Sequence, residues 1–419
     1  PLVSPTVLLR CIGLTAMRWS LDGIKSQISL RTLHLFYVGI LAVLVSLIAF
    51  TSAGHLKAVN EVPLARTYYS GAPHYDEPYP LNGAIDAVRN RGERRHYDYG
   101  GISEYSTAAL FLLHQLRTGE RPEYRNLDEP YHATDWSFSR KIQPAGPVHQ
   151  SRALAIYFHH ALVFAFTAFV SIFLLPVPSL ILKSVEHSQV FHVYSGAMMP
   201  DNHLWLLSGL TAAVFFMSLL RKQPRETVRL TLACCALASI TVAAKINAAY
   251  IVLLPFSMLW RLKDAGYFLD GGRKKLAWAG LCLVLPYVLI NPSVVFSPFS
   301  YLFWMKGMLG LRTGWLHGEW ATDHSWGQIR GFFQELWFLQ AVPNLILIAC
   351  LLAACVILIR THVASFLGFF AFVLLTYAAL ADLGGHTHAL YTRLFSVLIL
   401  PVALLIAFPL FVAFSKTGP

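Results

Sequence analysis

Residues 204–260 read LWLLSGLTAAVFFMSLL, then RKQPRETVR, then LTLACCALASITVAAKINAAYIVLLPFSMLW. The first block carries no charge. The second packs Arg221, Lys222, Arg225 and Arg229 against the single acid Glu226, and the third has Lys245 as its one ionisable cation or anion. A bilayer is crossed by roughly 17–25 apolar residues in a helix, and basic clusters mark the cytoplasmic face. Residues 203–220 therefore read as one span ending inside. The next basic cluster, Arg261, Lys263 and Arg273–Lys275, must lie on the same face. The apolar stretch 230–262 between the clusters has to leave and return, which predicts two short spans hinged near Lys245–Asn247.

The rest of the 419-residue chain extends this pattern. It is 56% hydrophobic and 13% charged, with a mean hydropathy of +0.52; a soluble domain carries about 25% charged residues, so an ordinary soluble enzyme is excluded. The net charge of +11 would suit nucleic acid if it formed a patch. It does not, because the polar stretch 53–150 holds 11 Lys/Arg and 12 Asp/Glu and is nearly neutral. The excess sits in short segments: Arg10, Arg18, Lys25 and Arg31, the two clusters above, Arg360 and Lys416. That one-sided distribution is the positive-inside pattern. All six cysteines lie in or beside apolar segments, which argues against a disulfide scaffold.

Parity then gives the architecture: an all-α polytopic membrane protein of about ten transmembrane helices. Residues 1–33 form a cytoplasmic segment, 34–414 the transmembrane domain, and 415–419 a cytoplasmic tail. Span 1 (34–52) delivers a large outer loop, 53–150. Two crossings are expected between Arg152 and Asp201, because a single one would put the 221–229 cluster outside. Later spans at 276–294, 337–358, 364–382 and 394–413 leave a second outer loop at 297–336.

Chemistry-bearing residues fall on the outer side of this scheme. Asp76 and Glu77 form an adjacent acid pair suited to general-base work on a hydroxyl, though a solvated acidic turn would look the same. Pro200-Asp201 stands at a helix entry, where Asp is also an ordinary N-cap. Lys245 and Arg393 are cations at or within the membrane, where a charge needs a partner: an anionic group brought by a lipid, or an internal counter-charge. Arg152 reads as opening span 2, either facing substrate or anchoring the helix. Trp320, with Trp315 and Trp326, suits sugar stacking and the membrane interface equally. His386 and His388, with His324, are candidate ligands for a divalent metal, a single His-x-His without a placed third ligand.

In their order these residues resemble the GT-C superfamily of polyprenyl-phosphate-sugar-dependent glycosyltransferases, which includes protein O-mannosyltransferases and aminoarabinose transferases. The similarity runs over about residues 34–405: Asp76-Glu77 in a large first outer loop, the aromatic stretch Tyr97–Tyr105 with Tyr99, Arg152, Pro200-Asp201, Ala244-Lys245, and Tyr391-x-Arg393 with Pro401 beyond. Two features depart from it. The segment Phe173–Leu180 is apolar where a basic loop is usual, and no polar C-terminal domain follows.

The resemblance implies an integral-membrane inverting transferase moving a sugar from a polyprenyl-phosphate donor to a hydroxyl on a lipid, glycan or protein acceptor. Asp76 or Glu77 would be the base and Asp201 an orienting group. Lys245, Arg393, Tyr391 and Arg152 would lie at the donor phosphate, with Tyr99 and Trp320 at the substrate. No cofactor is certain and a divalent metal is optional; membrane lipids are partners and nucleic acid is not. The location expected is a bacterial inner membrane, or the endoplasmic reticulum, with the site extracytoplasmic. No GxxxxGK[ST] loop, GxGxxG fingerprint or Asp-x-Asp pair offers a nucleotide-bound donor instead. The rival expectation is a catalytically silent GT-C-like subunit of a larger membrane complex.

Overall fold

The computed structural model describes residues 78–90, 92, 101–124, 142–143, 145–221 apart from 175–200, 223–264, 272–302, 344–381 and 388–415, with isolated helical positions between 39 and 47. The described chain is helical except for one short antiparallel pairing, β1 (Glu123–Tyr124) with β2 (Ile142–Gln143). Three helices are long and apolar enough to cross a membrane, over Gly146–Val170, His203–Leu220 and Pro224–Ala244. Shorter apolar helices cover Ile348–Thr361, Val363–Tyr377 and Val397–Ala413.

Two helices come from the large polar stretch. α1 (Pro78–Arg89) starts on proline, whose fixed φ and missing N–H suit a first turn, and its exit is made by Gly92 at φ +98. α2 (Gly101–Thr118) ends on Gly119 at φ +79, whose N–H donates to the Gln115 carbonyl. Leu81, Ala84 and Ile85 of α1 pack with Ala108 and Phe111 of α2 and with Val148 of the next helix in a small core.

α3 (Ala145–Leu174) begins directly after β2. This corrects the expectation that Arg152 opens a span beginning near 153. The helix starts two turns earlier, with Pro147 in its first turn, where the absent N–H leaves nothing unsatisfied. Arg152 is consequently inside the helix and buried.

α4 (Asp201–Leu220) is the central helix, almost wholly enclosed. It runs parallel to α3, because Phe158 meets His203 edge-on at 4.7 Å and Phe166 closes on Gly209 further along both helices. Parallel helices in succession put Leu174 and Asp201 at opposite ends of the bundle. At Gly209 a Cβ would come within 2.9 Å of Phe166 and Leu400, so glycine is what lets three helices meet there.

α5 (Pro224–Ala244) follows a tight turn. Arg225 and Arg229, expected in a loop, lie in its first two turns because Pro224 starts the helix at 224 rather than 230. Glu226 favours the same N-terminus and pairs with Arg221 at 3.6 Å. Lys245 is extended (φ −161, ψ 127) and breaks the helix. The chain then returns through a 3₁₀ segment, Ile246–Val252, and α6 (Leu253–Asp264). A 3₁₀ segment rises more per residue than an α-helix, so this shorter return spans about 32 Å against about 31 Å for α5. The expected hinge is present, though its two arms are a full-length helix and a composite one.

α7 (Gly272–Ile290) runs parallel to α5. Its Pro286 removes a ladder donor, and Tyr287 N–H just beyond donates to Ser239 Oγ at 2.9 Å on α5. α8 (Asn344–Thr361) and α9 (Val363–Ala381) form a hairpin turning at His362. α10 (His388–Ser415) runs parallel to α4, since Gly209 meets Leu400 and Phe216 meets Phe408 at 5.2 Å.

Candidate functional site

These directions sort the two ends of the bundle. α3, α4, α6, α8 and α10 start at the end where α5 and α7 finish. The other end carries Arg221, Arg225, Arg229, Arg261, Lys263, Arg273–Lys275 and Arg360. Of the candidate residues, Arg152, Asp201, Lys245, His388, Tyr391 and Arg393 lie toward the opposite end.

The heights follow from register. α4 and α5 run antiparallel, and the Thr211–Thr241 hydroxyl contact at 3.2 Å puts Lys245 beside the first turns of α4, deeper in the bundle than Asp201. The offset fixed by Gly209–Leu400 and Phe216–Phe408 puts the backbone of Arg393 level with Asp201–Asn202. Tyr391 lies half a turn further out, and His388 one turn beyond that. Tyr391 and Arg393 were expected to open the last span; they lie inside a helix that begins at His388. Arg152 sits about a turn and a half further from the basic end along α3 than Phe158, which meets the start of α4.

Burial adds charge to this end. Glu104 is 1% exposed, Arg152 5% and Lys245 6%. Ionised groups taken from water need opposite charge or hydrogen bonds, and each of these three is engaged by a neighbour. Glu104 occupies the first turns of α2, where the helix dipole favours a carboxylate, and its carboxyl lies against Gly83 of α1. A Cβ at position 83 would come within 2.7 Å of it.

The start of α2 is capped from 190 residues away. Gly101 N–H donates to Asn291 Oδ1 at 3.0 Å, the role a local Asp or Ser usually fills at a helix N-terminus. Asn291 itself is held at the exit of α7, its amide directed at the Tyr287 carbonyl at 3.4 Å. A Cβ on Gly101 would collide with the Ile290 carbonyl and Asn291 Oδ1, so this contact requires glycine. The positive end of α2 thus faces the negative end of α7.

Between α2, α3 and the start of α4 lies a cleft of about 190 Å³ lined by Ile102, Ser103, Ser106, Thr107, Ser151, Leu154, Ala155, Phe158 and His203. Leu154 and, beside it, Tyr157 are exposed on the outer face of α3. The cleft surface is mostly apolar, and Ser103, Thr107, Ser151 and His203 behind it are all buried.

Of the expected site residues, Asp76, Glu77, Tyr99, Trp320, His324 and His386 lie outside the described residues. Asp201, His388, Tyr391 and Arg393 are placed by backbone. Arg152 and Lys245 are placed in full. Among the described residues no group of three or more His, Cys, Asp or Glu comes together that could hold a metal. Sequence reading passed over Glu104, Asn291, His203, Ser103 and Ser151. The residues at 101, 104, 107, 108 and 111 do carry the 3–4 spacing of a buried helical face, but they sit in a stretch whose aromatics drew attention first. Asn291 offers only an Asn-Pro step after an apolar run. No protein-family model, curated protein or solved structure matches the chain.

Proposed function

We propose that this chain is an integral-membrane inverting glycosyltransferase that uses a polyprenyl-phosphate sugar on the extracytoplasmic side, with about ten spans and both ends cytoplasmic. A bacterial inner membrane is the favoured location and the endoplasmic reticulum the alternative. The observation that supports this most is that Asp201, Lys245 and Arg393 all lie toward the end opposite the basic one. An acid and two cations toward that end suit a reaction between a hydroxyl and a phosphate-linked sugar.

In this reading Asp76 or Glu77 takes the proton from the acceptor hydroxyl. The acceptor oxygen bonds to the anomeric carbon as the bond from that carbon to the phosphate oxygen breaks, and the electron pair leaves on the lipid phosphate. Lys245 and Arg393 stabilise that anion, Lys as a point charge and Arg as a fork able to hold two oxygens. Asp201 orients the base or the acceptor, and Tyr391, Arg152, Tyr99 and Trp320 line the substrates. A divalent metal held by His324, His386 and His388 is an optional addition. The acceptor is a lipid, glycan or protein hydroxyl.

The second reading, a silent subunit of a membrane complex, is favoured by the deep burial and engaged state of Arg152 and Lys245, which suits cations that lock helices together. The deciding experiment offers radiolabelled polyprenyl-phosphate sugars to the reconstituted chain and follows release of polyprenyl phosphate. Asp76→Asn should cut transfer by about 10²–10⁴-fold if Asp76 is the base, with Glu77→Gln deciding which acid acts. Transfer unchanged in the double variant rejects the assignment, and a fully folded wild type inactive with every donor favours the silent subunit.

A further inference from the structure

From Leu276 to Met305 the sequence carries no Asp, Glu, Lys or Arg. α7 uses the first part of that run, and its 19 residues rise about 28 Å, enough for the hydrocarbon core of a bilayer. The remainder is surplus to a crossing. The chain turns at Asn291-Pro292, where Asn291 Nδ2 donates to the Ala243 carbonyl at 3.5 Å and fixes the turn beside the last residues of α5. A short helical turn follows, Ser293–Phe296, and a second helical stretch covers 298–302. Tyr301 then comes back to Tyr287 of α7, hydroxyl to hydroxyl. Residues 293–302 therefore lie across the end of α7 instead of leading away from it.

The two sides of this stretch differ. Ser293 is buried, and Ser297 and Tyr301 are half-buried. Val295, Phe296, Phe299 and Leu302 are exposed by 60%, 69%, 85% and 62%. Four large apolar side chains so close together are a patch and not scattered surface residues. The patch continues the exposed apolar face of α7, Leu281, Val284, Leu285 and Leu289, which faces lipid in a crossing helix. A protein partner would be met by a polar, charged rim, and this stretch has no charge. Tyr287 and Tyr301, each an apolar ring with a polar tip, are the residue type that membrane interfaces favour. On the other side of the stretch, a Cβ on Gly92 would stand 3.7 Å from the Phe296 ring, so the exit of α1 rests on it.

We propose that residues 293–302 form an interfacial anchor in the outer leaflet, lying along the boundary between headgroups and acyl chains with Val295, Phe296, Phe299 and Leu302 inserted among the lipids. Through Asn291, which caps α2, the anchor also sets the height of the polar end above the bilayer. The proposal rests on the reading of α7 as a span ending on the outer side.

The test keeps the two failures apart. Single nitroxides at Val284, Phe299 and Asn90, in the full chain with its six cysteines replaced by alanine, are placed in phosphatidylcholine nanodiscs. Power saturation then compares collisions with oxygen, which concentrates in lipid, and with a water-soluble nickel chelate. The Phe299 label should favour oxygen, the Val284 label, about 9 Å deeper than the end of α7, should favour it more strongly, and the Asn90 label should favour nickel. Melting temperature checks each fold. A Phe299 label that favours nickel, or one shielded from both reagents by protein, overturns the anchor while Val284 stays in lipid. A Val284 label outside lipid overturns the span, and the anchor with it. In the unmodified chain, a phospholipid with a diazirine near the top of its acyl chain should photolabel peptides within 293–302. No adduct there, with adducts on α7 from a diazirine deeper in the chain, overturns the proposal as well.

Discussion

The two ends of the bundle satisfy their polar groups in opposite ways. At the basic end, charges serve the backbone. α4 finishes with carbonyls that have no helical partner, and Arg261 Nη1 donates to Ser218 O at 3.3 Å while His362 Nε2 donates to Leu219 O at 3.2 Å. The Arg261 cation at this helix C-terminus also meets its negative dipole end, so the arrangement stabilises the helix. At the far end, a backbone donor is capped by Asn291 from a distant helix, and the ionisable groups Glu104, Arg152 and Lys245 are buried. One end closes helices with exposed and half-buried cations; the other holds its ionisable groups buried and engaged by neighbours.

The sharpest break of this comparison is all-or-none. Single cysteines at Arg91 and Arg225, labelled from one side of a sealed vesicle, should react from opposite sides. Reaction from the same side removes the assignment of the polar end to the outer surface.

A graded test sets one cation from each end side by side. Arg393→Ala should weaken polyprenyl-phosphate binding by about 10- to 100-fold, and Arg393→Lys by less, because a fork is lost but the charge is kept. Arg261→Met should lower the melting temperature and leave lipid binding where it was. If Arg393→Ala lowers only the melting temperature, the two ends do the same work and the silent-subunit reading gains.

Gly101→Ala isolates the contact between α2 and α7. The added methyl has no space between the Ile290 carbonyl and Asn291 Oδ1, and a loss of about 1–3 kcal/mol is expected in denaturant or thermal unfolding. Asn291→Ala, which removes the cap and leaves space, should cost about 1 kcal/mol. A neutral Gly101→Ala would mean that α2 docks loosely.

The smallest effect is a pH dependence at the basic end. Burial first, and then the neighbouring Arg261 charge, hold the His362 pKa down at about 4, against the pull of its bond to Leu219. Around pH 7 the ring is neutral in folded and unfolded chain alike and contributes no slope. As pH falls from about 6.5 to about 4, the unfolded chain takes a proton that the folded chain refuses, so stability falls across that window. His362→Gln retains an N–H donor without titrating and should flatten the profile there. An unchanged profile would assign the slope to other groups.

How much was legible in the sequence depends on how local each cause is. The charge-free apolar runs mark α4 and most of α5 as apolar helices, and the basic clusters on both sides of 230–262 require the reversal at Lys245, where the helix does break. The start of α3 was misplaced because Arg152 looks like a boundary residue in sequence, whereas packing of Val148 against α1 and α2 extends the helix outward past it. The cap on Gly101 could not be read at all, since its acceptor is 190 residues away.

By itself, then, the sequence determined that apolar helices stack in a bundle with one basic end, because hydropathy and charge act through each segment's own composition. Only the tertiary structure decided that α3, α4 and α10 run parallel, that Asp201, Lys245 and Arg393 share the end opposite the basic one, and that a buried Glu104 packs against Gly83. Those are matters of register between helices, fixed by small residues such as Gly83, Gly101 and Gly209 at points of closest approach. A glycine's role there depends on what faces it, and that is set by the packing of the whole chain.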